Sequence, residues 1–147
     1  MSDDFFGEID QIIDSRAQEA AAVAAAKEAA QPNIAAAISA SAKLARDYSL
    51  KLKERGISLS VSEGVGGVVL ELRHGDGTSR TLSYCPSESR QKLEAVGEFP
   101  DERGRRFTST DGSGDQVANW TADMFKVRLE RFVKDYVFYA PRHRGMV

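Results

Sequence analysis

The chain has 147 residues, one cysteine and a net charge of −2, which bounds it to one domain, with length enough for a real core and room for one appendage. The single cysteine, Cys85, excludes an internal disulfide and fits a reducing, cytoplasmic setting. The near-neutral balance excludes a dedicated nucleic-acid binder with a basic stripe, and no stretch has the length of a membrane span or the order of a signal peptide.

Residues 3 to about 30 read as a first helix. Asp3, Asp4 and Glu8 sit where the positive end of a helix dipole favours acids. Phe6, Ile9 and Ile13 recur at helical spacing, and the stripe then fades into alanine from Ala20 to Ala26. Such a helix forms readily but buries little. It lies loosely on its own domain or serves as a docking and self-association arm, with Phe5, Phe6 and Ile9 as candidate contacts. Pro32 then either kinks one long helix or separates two, with Asn33 as a cap for the second. That second helix, about Ile34 to Arg55, carries Ile34, Ala37, Ile38, Ala45, Tyr48 and Leu52 on one face, with Ser41 among them. Ser41 fits there if its hydroxyl bonds back to a carbonyl one turn earlier. Gly56 ends the helix.

Ile57 to Tyr84 reads as a three-stranded antiparallel meander. Strand one is residues 57–62. A Gly64-Val65 turn pairs Val61 with Val68, Leu59 with Leu70 and Ile57 with Leu72. A three-residue loop Gly75-Asp76-Gly77 pairs Leu70 with Leu82 and Val68 with Tyr84, leaving Glu71, Arg73, Ser79, Thr81 and Ser83 on the other face. Leu93 to Phe99 is a fourth strand, with Leu93, Ala95 and Phe99 on one side. Turn residues 100–104 lead to a short edge strand, Arg105 to Thr110. Asp111 to Asp115 reads as a flexible loop. A final helix runs from about Trp120 to Tyr139, capped by Asn119, with Met124, Val127, Phe132 and Tyr136 on its apolar face and Lys126, Glu130 and Lys134 on the other.

The expected fold is α+β: a long N-terminal helical arm kinked or broken at Pro32, a five-stranded antiparallel meander, and a C-terminal amphipathic helix packed on the sheet. The division is an arm over 1–31, an α+β domain over 32–140 and a flexible tail over 141–147. The order of elements resembles that of small acidic dimeric secretion chaperones, in architecture alone.

No constellation carries catalysis. The register sets His74 and Cys85 roughly 20 Å apart on opposite sheet faces, too far for a thiol–imidazole pair. Those two residues and His143 do not make a spaced metal set. Asp111–Asp115 lacks the ligand series of a calcium loop, and Gly64–Gly67 joins two strands where a phosphate cradle needs a helix. No metal or cofactor is therefore expected. Arg103, Arg105 and Arg106 cluster at one hairpin, and Phe138 and Tyr139 end the last helix; both are candidate partner contacts. The expected function is a non-enzymatic interaction or assembly protein, homo-oligomeric and chaperone- or adaptor-like. The alternatives are binding of nucleic acid or another polyanion through the C-terminal arginines, and a small-ligand or enzymatic site between sheet and helices near Tyr84 and Trp120.

Overall fold

The computed structural model describes residues 2–64, 66–101, 103, 105–110, 112 and 114–139, with side chains from residue 4. The expected tail 141–147, with Arg142, His143 and Arg144, lies outside the described residues. The elements are α1 (Ser2–Lys53), β1 (Leu59–Gly64), β2 (Gly67–Arg73), β3 (Ser79–Pro86), β4 (Lys92–Pro100), β5 (Arg106–Thr110), β6 (Asp115–Gln116) and α2 (Ala122–Tyr139). The class is α+β as expected: a long helix, an antiparallel sheet and a C-terminal helix.

α1 is one helix of 52 residues, about 78 Å long at 1.5 Å per residue. Pro32 lies inside it, in an exposed position. Its missing N–H deprives the Glu28 carbonyl of a partner, and solvent supplies one there. From Ile34 onward the helix is anchored. Ile34, Ala37, Ile38, Ser41, Ala42 and Ala45 are buried, and Tyr48 and Leu52 pack beside them. This is the stripe read from the sequence. The hydroxyl of Ser41, however, makes no hydrogen bond, so the expected bond to the preceding turn is absent. The helix closes where expected: Ile57 N–H donates to the Leu52 carbonyl at 2.9 Å, across Gly56. The other half of α1 does not lie on the domain, for residues 4 to 26 are all exposed.

The sheet has the order β1-β2-β3-β4-β5, and β6 pairs with β4 beside β5. The second hairpin has the expected register, Leu70 opposite Leu82 and Val68 opposite Tyr84. His74 N–H donates to the Thr78 carbonyl at 2.7 Å, and Gly77 takes a φ of 91° in the three-residue loop. The first hairpin differs. Val61 faces Leu70, Leu59 faces Leu72 and Gly64 faces Gly67. The pairing is two residues from the expected one, with residues 65–66 in the loop. A shift of two keeps every side chain on its face, so alternation alone could not separate the two registers. Gly67 abuts the third strand: at φ 126° a Cβ there would stand 2.3 Å from the Tyr84 carbonyl oxygen, so only glycine fits beside β3.

One face of the sheet carries Leu59, Val68, Leu70, Leu72, Leu82, Tyr84, Leu93 and Ala95, all buried. α1 covers β1 and the neighbouring strands. α2 adds Phe125 and Leu129, fully buried, with Phe132, Val133 and Tyr136 on the same stripe. Val127, expected on that face, is 58% exposed. The inward face of α2 follows the 125–129–132–136 spacing instead. α2 starts after Thr121, not at Trp120, because Trp120 N–H is drawn to the Val117 carbonyl. Asp115 is no part of a flexible loop: it pairs with Leu93 in β6.

Candidate functional site

Two polar clusters interrupt the apolar layer between sheet and helices. The first is built on Tyr84, whose ring lies 5.0 Å from that of Phe125. Its hydroxyl donates to the Asp115 carboxylate and accepts from Trp120 Nε1 at 2.8 Å. Arg128, one helical turn beyond Phe125, grips Asp115 with two bonds of 2.9 Å. Burial raises the Asp115 pKa, but the Arg128 and Tyr84 hydrogen bonds and the Arg128 charge outweigh it, and the carboxyl lies below its ordinary value. Burial and the bond to Asp115 push the Tyr84 phenol far upward. The cluster is satisfied internally and ties β3, β6 and α2 together. The polar atoms of Tyr84 and Trp120 face one another.

The second cluster is built on Arg80, 7% exposed, on the same sheet face as Leu82 and Tyr84. Its Nε–H donates to His74 Nε2 at 3.1 Å, which places the imidazole proton on Nδ1. The His74 ring stacks on Tyr136 with centroids 4.6 Å apart, and Tyr136 donates to the Arg73 carbonyl at 2.8 Å. The Arg80 guanidinium carbon lies 4.6 Å from the Tyr139 ring centroid and 5.5 Å from that of Phe99. Burial pushes its pKa down, and the negative charge of Asp135 works against that shift. Among the described residues no carboxylate lies within 4.0 Å of Arg80. Its two terminal nitrogens make no hydrogen bond there.

Arg80 floors a groove of about 200 Å³ between α2 and strands β3 to β5. β5 is exposed along its whole length, so the groove opens toward that edge of the sheet. Leu82, Phe99 and Phe132 supply apolar surface, Ser109 and Thr110 line the β5 side, and Arg128, Arg131, Glu98 and Asp135 stand around it. Gly97, opposite Leu82 and Ser109, leaves the space that a side chain would fill.

The residues singled out in the sequence fall in three separate places. Phe5, Phe6 and Ile9 are 58%, 62% and 37% exposed, on the free half of α1. Arg103 and Arg105 are exposed at the β4–β5 turn, where their backbone N–H groups donate to Asp101. Arg106 pairs with Glu98 at 3.2 Å across the same hairpin. Phe138 is 64% exposed, whereas Tyr139 turns inward over Arg80. The missed residues are Arg80 and His74. Their signal was available: Arg80 shares the parity of Leu82 and Tyr84, and His74 that of Leu70 and Leu72, which puts both on the buried face.

Cys85 lies on the outer face beside Gly67, and burial raises its thiol pKa. Among the described residues no group of three His, Cys, Asp or Glu side chains converges on a metal position. No helix there is long and apolar enough to cross a membrane. The chain matches no protein-family model, no curated protein and no solved structure.

Proposed function

We propose that this chain is a non-enzymatic assembly protein that dimerises through the free half of α1. One observation carries the reading. Phe6, Ile9, Ile13, Ala20 and Val23 continue, in steps of three, four and seven that pass over Arg16 and Lys27, the stripe that Ala30, Ile34, Ala37 and Ser41 bury on the sheet. The face that makes the domain core therefore runs on into solvent, with Phe6, Ile13 and Val23 more than half exposed. An isolated amphipathic helix of this length gains little without a partner.

The occupant that fits is a second copy running antiparallel. The bulky half, Phe6 to Ile13, then meets the alanine-rich stretch from Val23 to Ala30, and close helix approach follows. Charge agrees. Residues 3–14 hold five acids and no base, while Arg16 and Lys27 are the arm's only cations. Parallel arms set acids beside acids. Antiparallel arms, crossing near residue 18, set Lys27 beside Glu8 and Asp10 of the partner and Arg16 beside its Glu19. Such an interface is two-fold and closes.

Sedimentation or light scattering on the full chain tests this. The wild type is expected as a dimer, and Ile9→Glu with Ile13→Glu as a folded monomer. Arg16→Glu and Glu19→Arg are each expected to weaken the dimer, and the two together to restore it. A monomeric wild type at high concentration, or a dimer indifferent to these changes, removes the proposal.

A further inference from the structure

We propose that the groove above Arg80 is a binding site for a small monocarboxylate attached to a flat apolar group. Arg80 is a cation more than nine-tenths buried, and a buried charge is stable only when it is paired. Among the described residues aromatic faces and a neutral imidazole make its direct contacts, and Asp135 acts on it through charge alone. They leave the fork of its terminal N–H groups open toward the groove it lines, and that fork matches a carboxylate in geometry.

Charge and size narrow the ligand. Glu98 is taken up by Arg106, and Arg128 by Asp115. The single fork of Arg80 then suits a monoanion rather than a phosphate dianion. The volume of about 200 Å³ lies below the roughly 300–1,000 Å³ of drug-sized sites, so the ligand is a single ring with its carboxylate. Phe99 and Phe132 offer that ring apolar walls, and the Ser109 hydroxyl, on the helix-facing side opposite Gly97, can complete the carboxylate's hydrogen bonds. The site is independent of the arm and goes beyond the assembly role.

Benzoate is the probe, titrated into the 15N-labelled full chain. Saturable shifts are expected at the Arg80 Nε–H and at the amides of Gly97 and Ser109. Acetate is expected to bind about tenfold or more weakly for want of the ring contacts, and inorganic phosphate more weakly than benzoate. Arg80→Gln should abolish the response. Gly97→Leu keeps Arg80 and fills the groove; its Cβ would stand 3.8 Å from the Thr81 carbonyl oxygen, an ordinary contact that spares the fold. It should weaken benzoate about tenfold or more. No saturation by benzoate, tighter binding of phosphate, or an unchanged response in Gly97→Leu overturns the proposal.

Discussion

Replacing Tyr84 by phenylalanine tests whether the bonds around Asp115 hold α2 and β6 to the sheet. The ring keeps its volume and its contact with Phe125, so no cavity opens. What is lost is the O–H bond to a carboxylate, about 1.5–3 kcal/mol, and the indole bond, about 1 kcal/mol. Asp115 keeps both Arg128 bonds, so the net loss should be about 2–3 kcal/mol, near the lower end of the sum. For a chain of this length that lowers Tm by about 5–10 °C. Trp120 is the only tryptophan and donates to the altered position, so urea melts should be followed by its fluorescence and by far-UV circular dichroism together. In an Asp115→Asn background the same change should cost about 1 kcal/mol less. pH gives a second handle. The folded Asp115 carboxyl lies below its ordinary value, so its contribution is complete above about pH 3.9, the unfolded value, and fades as pH falls through the folded one. The penalty for Tyr84→Phe should shrink over that acid range. A loss under about 0.5 kcal/mol at neutral pH, or a loss independent of Asp115, would refute the reasoning.

Gly67→Ala should destabilise by about 2 kcal/mol or more, since its Cβ meets the Tyr84 carbonyl at a φ closed to side chains; urea midpoints check it. Ser41→Ala should be neutral or stabilise by up to about 1 kcal/mol, because it removes a buried hydroxyl with no partner; a clear loss would mean that the hydroxyl is bonded after all. The Tyr48 phenol, pushed up to about 12 by burial and by its bond to Glu130, stabilises the fold fully below about pH 10, the unfolded value, and loses that contribution as pH rises toward about 12. Tyr48→Phe should flatten alkaline melts in that window. Cys85 should react with a thiol reagent more slowly in the native chain than in urea, burial having raised its pKa.

How much of this was legible in the sequence depended on whether a pattern had one solution. The Leu70–Leu82 register had one, because the alternative loop mixed apolar and polar faces. The first hairpin had two solutions of equal parity, and strand alternation does not choose between them. α2 was read as a helix, but its inward face was set by Tyr84 and Leu93 below it, which hydropathy counts cannot see. β6 is two residues long, too short to carry a period. It exists because Asp115 is held from three sides. Arg80 was overlooked for a different reason. An arginine reads as surface, yet strand alternation put it indoors, and the groove follows from that one placement.

The side chains of α1 from residue 4 to 26 are all exposed, and the proline at 32 interrupts the ladder just where the arm leaves its support. In a lone chain this half can therefore unravel while the sheet stays native. Trypsin should then cut first after Arg16 and Lys27, and the cutting should slow as protein concentration rises and arms find each other. The length of intact helix becomes a gauge of how much of the protein is present.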